Sequence, residues 1–333
     1  MIIVNSKNDL LSLSNTNLLR VLFEALVLIH HLYIVSTSLG AVISTALGPI
    51  AVGGFIFLSG FGVGFSFIKK GDEYSNKLLK LRLPRTYAIL FVVNLCYLVL
   101  YLATGGRFVS PFSAIISYLP VFQGFVTLSH WIYFLADLII YYLMFLLFIF
   151  IFKKTKNRLL WTAIAILLLD LIIIAVLSVV NYQTGSTRFL RGCLCFPIGL
   201  ICAAFSEKIA EIVKKHKIWL ALCLSAISIV FMAMFNYRPI KEYVLPIFVV
   251  LAMVALLYGV DAKSKAIDYL SGLVIYVYVS HEFFLILSKY LFSRWHVNLH
   301  INIIGLIVFA CSVLFAILLN AIVAKGKKKL VKA

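Results

Sequence analysis

Ten apolar stretches, each about as long as a bilayer is thick, constrain this chain before any other feature does. They run at 18–38, 49–68, 86–104, 131–152, 159–180, 189–206, 218–235, 244–260, 269–291 and 302–324. A helix needs about 20 predominantly apolar residues to traverse a ~30 Å hydrocarbon core. With no water there, backbone groups must pair within the segment, and uninterrupted runs of this length read as helices. Charged residues make up 13% of the chain, against about 25% in soluble domains. The sequence therefore predicts an all-α integral membrane protein of about ten transmembrane helices, one membrane domain over residues 1–333 with no separate soluble domain.

The formal net charge of +18 would point to nucleic acid in a soluble protein. Here its placement matters more, because Lys and Arg collect on the cytoplasmic side. Of the 30 Lys and Arg, 23 fall in the N-terminal lead, the connections 69–85, 153–158, 207–217 and 261–268, and the tail. The alternate connections and their mouths hold 7. The alternation predicts both termini in the cytoplasm and makes the lipid bilayer, not nucleic acid, the partner. The six cysteines all lie inside apolar runs without metal-type spacing, and read as small reduced core residues with no metal site. The opening residues lack a short apolar core followed by a small-residue cleavage site, so no cleavable signal peptide is expected. No internal repeat is visible, which disfavours a repeat-built transporter.

The first span is apolar enough to cross a bilayer, yet carries Arg20, Glu24, His30 and His31. At about 100° per residue, Arg20 and His31 lie about 20° apart on the helical wheel and Glu24 falls beside them, while His30 points about 100° away from His31. His31 is about 16 Å along the axis from Arg20, near the middle of the core. Ionisable groups at that depth are costly and are functional candidates by default. The basic connection before span three contains Arg82-Leu83-Pro84-Arg85; arginines grip phosphates in a bidentate way that lysines do not. Span nine carries Tyr278 and His281, three residues apart and so helix neighbours. Span four opens at Trp131 and buries Asp137 about two turns in; Arg188 and Arg191 lie at the mouth of span six. Span two has five glycines, which in a membrane permit close helix contact.

Four of these places, taken in order, resemble the acyltransferase 3 family, ten-helix membrane enzymes that acylate bacterial surface glycans and related molecules. They are Arg20 and His31 with ten residues between them, the run Val52-Gly53-Gly54-Phe55-Ile56-Phe57-Leu58-Ser59-Gly60-Phe61, Arg82-x-x-Arg85, and Ile275-Tyr276-Val277-Tyr278-Val279-Ser280-His281. Span four adds a looser likeness through Trp131, Phe134, Leu135 and Tyr141, with Asp137 near the family's acidic position. The resemblance implies O-acyl transfer, acetyl above all, from cytosolic acyl-CoA to a hydroxyl of a cell-surface polysaccharide or its lipid-linked precursor. Acyl-CoA is then a co-substrate and no cofactor is tightly bound. The resemblance also implies a multi-pass protein of the bacterial cytoplasmic membrane, with glycan-assembly enzymes as further partners. On this reading His31 is the general base, Arg20 or Glu24 orients it or the donor, Arg82 and Arg85 hold the donor, and Ser59, Trp131, Asp137, Tyr278 and His281 support the site. The competing class is a transporter or flippase of a lipid-linked saccharide, in which the same buried charges would serve a proton or substrate path.

Overall fold

A computed structural model describes residues 10–33, 38–103, 133–179, 192–234, 242–297, 299 and 301–332. Among them every regular element is helical: α1 (Leu13–Tyr33), α2 (Ser38–Lys70), α3 (Asp72–Lys77), a π-helical turn (Leu78–Arg82), α4 (Leu83–Ala103), α5 (Tyr133–Ile151), α6 (Arg158–Val179), α7 (Cys195–Ala204), α8 (Ser206–Met234), α9 (Leu245–Leu257), α10 (Lys265–Arg294) and α11 (Ile301–Lys332). Each expected apolar stretch overlaps a helix among the described residues, but the lengths differ. Seven stretches of described chain are long and apolar enough to cross a membrane, in α2, α3 through α4, α5, α6, α8, α10 and α11. α1 carries Ser14, Asn15, Thr16 and Asn17 in its first turns and Arg20, Glu24 and two histidines further on. α7 and α9 are shorter apolar helices. Large side chains such as Phe150 (71% exposed), Trp219 (70%) and Leu306 (65%) point outward from the described helices, an arrangement suited to lipid and not to water.

The chain divides into two compact units. One holds Met1–Ser12 and Pro49–Val260, the other Leu13–Gly48 and Asp261–Ala333. The internal boundary falls inside α2 at Gly48–Pro49, where proline has no N–H to donate back along the helix.

In the first unit the glycines of α2 form a seam for α7 and its approach. A β-carbon on Gly60 would lie 2.2 Å from the Phe196 carbonyl oxygen, and one on Gly199 would lie 2.5 Å from that of Phe57. Gly64 faces Ala203, and Gly53 faces Pro246 and Cys195. Only small residues let two backbones approach this closely. A β-carbon on Gly62, by contrast, would meet nothing within 4 Å among the described residues outside its own helical turn. The expected basic loop at 69–85 is mostly helix: α2 runs on to Lys70, Gly71 interrupts the helix at φ +54°, and α3 with the π turn leads directly into α4. Amphipathic spacing explains this, since Tyr74 and Leu78, four residues apart, are both buried while Asp72, Glu73, Asn76 and Lys77 are exposed. α8 breaks at His216 (φ −127°, ψ 23°), dividing its polar first part from its apolar second part.

In the second unit α1 packs against α10 and α11, which also pack on each other. Leu273, Val277 and Ala316 form a shared core with Leu28, Tyr276 and Val313 against it.

Candidate active site

The second unit gathers the polar residues of α1 and α10 at two levels. At the first, Asn17 joins the helices: its amide Nδ2 donates to Asp268 Oδ1 at 2.8 Å, and its Oδ1 accepts from Ser271 Oγ at 3.1 Å and from Arg20 Nη1 at 3.5 Å. Arg20 is thereby tied to the first turns of α10. At the second level the rings of His31 and His281 lie 4.7 Å apart, tilted by 34°. Both levels pair early α1 with early α10 and later α1 with later α10, so the two helices run parallel, with the levels about 15–21 Å apart at 1.5 Å per residue.

His281 is buried, and neither ring nitrogen makes a hydrogen bond of ordinary geometry among the described residues. Tyr278 meets it edge to face at 5.8 Å. His31 is half-buried beside it. His30 takes another course: it is buried against Gly48, where an added β-carbon would lie 2.7 Å from its Nε2. It is therefore His31 and not His30 that stacks beside the histidine of α10. Glu24 is buried, and among the described residues both of its carboxylate oxygens lack a hydrogen-bond partner. Glu24 therefore makes no hydrogen bond to His31 in this structure.

The first unit holds the remaining candidates in two groups. Arg82 closes the π turn, half-buried, with Nη1 donating to Tyr74 Oη at 2.7 Å and its guanidinium 5.6 Å from the centre of the Tyr142 ring. Arg85 is exposed. The two arginines are thus unequal, one fitted into the fold and one outside it. In the other group Asp137 is fully buried on α5; one turn on, Tyr141 stacks on Phe196 at 4.7 Å and donates its hydroxyl to Asp170 Oδ1 at 3.2 Å. Ser59 is half-buried beside Gly60 on the α2 seam. Trp131, Arg188 and Arg191 lie outside the described residues.

Several residues of these groups escape sequence reasoning. Asp170 had a signal: it is the single charge within 159–180 and satisfies the same rule that singled out Glu24. Asn17, Asp268 and Ser271 had none, since only packing joins residues 251 apart. Tyr74 and Tyr142 are aromatic residues in an aromatic-rich chain. Among the described residues no three His, Cys, Asp or Glu come together in a way that would hold a metal ion.

Among the described residues, helices alone, with seven stretches fit to cross a membrane, define a membrane protein, in which α1 and α10 bring two histidine rings together. Residues 14–324 match the family model of an acyltransferase domain, that of the acyltransferase 3 family, a match running through both units. The chain belongs to this family and is a membrane acyltransferase. No curated protein and no solved structure shows significant similarity to it.

Proposed function

We propose that this acyltransferase moves an acetyl group from acetyl-CoA to a hydroxyl of a cell-surface polysaccharide or its lipid-linked precursor, with His31 as general base. The observation that carries the reading is the His31–His281 pair: one imidazole half-accessible, the other buried behind it. Imidazole is the side chain suited to take a proton near neutral pH. In the proposed step His31 accepts the hydroxyl proton as the acceptor oxygen attacks the thioester carbonyl. The C–O bond forms, the C–S bond breaks, and the proton held by His31 passes to the departing CoA sulfur. His281 backs the His31 ring and limits its orientations. Arg20, held through Asn17, lies on the same face of α1. Glu24 offers two buried acceptor oxygens, a match for a sugar hydroxyl, and Arg82 and Arg85 supply cations for the donor's phosphates. The enzyme works in the bacterial cytoplasmic membrane beside the enzymes that assemble the glycan.

Membranes with and without the protein, supplied with [14C]acetyl-CoA and their own glycan, test this. Label should enter glycan only when the protein is present. His31→Ala should lower transfer about 10²–10⁴-fold, the range of general base catalysis, with the protein still in the membrane. His281→Phe, which keeps the ring and removes its nitrogens, should lower turnover by up to about 10²-fold through misplacement of His31 without changing the acetyl-CoA requirement. Full activity of His31→Ala would refute the assignment, and label in lipid or protein but never in glycan would refute the acceptor class.

A further inference from the structure

The segment between α2 and α4 is built to hold one arginine still. Arg158, at the start of α6, bonds Asp72 Oδ1 at 2.6 Å, donates Nε to the Ile149 carbonyl, and lies 5.3 Å from the Phe67 ring centre. This fixes α3 on the ends of α5 and α6. α3 then turns Tyr74 inward, 7% exposed, and presents its hydroxyl to Arg82. The π turn Leu78–Arg82 widens the helix between the two, and such turns inside α-helices cluster at functional sites. Thr86 Oγ1 donates to the Arg82 carbonyl at 2.9 Å, fixing the backbone on the far side. The Arg82 guanidinium lies over the Tyr142 ring of α5, 5.6 Å from its centre.

The chemistry of this clamp is specific. A carboxylate would hold an arginine more strongly, but would cancel its charge and compete with any anion. Asp72, on the same short helix as Tyr74, is instead engaged by Arg158. A phenol and a ring face restrain the guanidinium and leave it cationic. A guanidinium has five N–H donors in a planar fork; Tyr74 takes one and the Tyr142 ring lies beside the group, leaving donors for a phosphate. We propose that Tyr74 and Tyr142 are positioning residues that fix Arg82 to receive a phosphate group of the acyl-CoA donor, with exposed Arg85 as the second arm. The proposal rests on the donor reading above and adds the residues that pre-organise it.

The test is binding by purified full-length protein in zwitterionic and in anionic lipid nanodiscs. The probes are acetyl-CoA and acetyl-pantetheine, which keeps the thioester and lacks the nucleotide and its phosphates. Tyr74→Phe removes one hydroxyl, and loss of a hydrogen bond that orients a charged group should weaken acetyl-CoA binding about 5–10-fold while leaving acetyl-pantetheine binding and Tm unchanged. Tyr142→Leu should act in the same direction and serves as the second variant if Tyr74→Phe does not fold. Because the tyrosines act through Arg82, Tyr74→Phe combined with Arg82→Ala should be no weaker than Arg82→Ala alone. Additive losses, or a fall in Tm with unchanged acetyl-CoA affinity, would overturn the proposal and leave the clamp a folding device. Loss of anionic-lipid dependence with unchanged acetyl-CoA affinity would assign the phosphate to a headgroup and also overturn it. If Arg82→Ala and Arg85→Ala leave acetyl-CoA affinity intact, the donor site itself is wrong. If Arg82→Ala weakens binding and Tyr74→Phe does not, the donor site stands and only the tyrosine role fails.

Discussion

Gly60→Ala should be the most damaging single-methyl change on α2, and its cost follows from the seam. The added β-carbon would sit 2.2 Å from the Phe196 carbonyl oxygen and 3.0 Å from its carbon. Ordinary contact begins near 3.4 Å, so α2 and α7 must part by roughly 1.2 Å. No side chain can rotate away, because the obstructing atoms are backbone, and Gly199 meets the Phe57 carbonyl oxygen in the same seam. Overpacking of this kind costs about 1–3 kcal/mol, and a backbone obstacle places this case at the upper end. Alanine returns up to about 1 kcal/mol of helix propensity over glycine, leaving a net loss of about 2 kcal/mol. Gly62→Ala, two residues on, is the matched control: with nothing within 4 Å it keeps the propensity gain and should be neutral or stabilised by up to about 1 kcal/mol. Unfolding of the two detergent-solubilised variants side by side, by heat or SDS titration, should separate them by about 3 kcal/mol. Equal stability would refute the seam and return the glycine-rich run to a role in chemistry.

Tyr141→Phe should destabilise the protein by about 1–3 kcal/mol, the cost of leaving the buried Asp170 carboxyl without its described donor; Asp170→Asn, which can still accept that bond, should lose less by the same unfolding assay. Asp72→Asn should cost no more than about 1 kcal/mol, because Asp72 is 56% exposed and surface ion pairs are worth little. Arg158→Ala should cost clearly more, since Ile149 loses a donor and Phe67 a covering group. Equal effects for the two would show that the ion pair is all Arg158 contributes.

The sequence carried the elements well and their partners poorly. Helices could be read from apolar runs because the bilayer sets the length of a crossing; among the described residues seven stretches reach it, and α7 and α9 are shorter. The polar stripe of α1 was legible because a 3.6-residue period needs no knowledge of neighbours: His31 meets His281 of α10, Arg20 bonds Asn17, and Glu24 is buried. The same wheel set His30 apart, yet His30 is buried too, since a helix inside a bundle buries more than one face. Arg82 and Arg85 read as an equivalent pair by their spacing. They are unequal because Tyr74 and Tyr142 single out one of them, and nothing in the order of residues foretells a contact between Arg82 and an aromatic residue sixty positions away. Asp170 fell within reach of the argument used for Glu24; its bond from Tyr141 needed coordinates.

The second unit is assembled from the two ends of the chain, and this has a consequence for biosynthesis. Asn17 finds Asp268 across 251 positions. At about 5–20 residues per second a ribosome takes roughly 12–50 s to cover that interval. For that time α1 must carry Arg20, Glu24 and two histidines without the helix it packs against. The candidate base therefore has no counterpart until nearly the whole chain exists, so a truncated product would hold the donor-side arginines but not the histidine pair. An interim companion for α1, such as an insertase or chaperone, would sit where α10 later docks and would leave when it arrives.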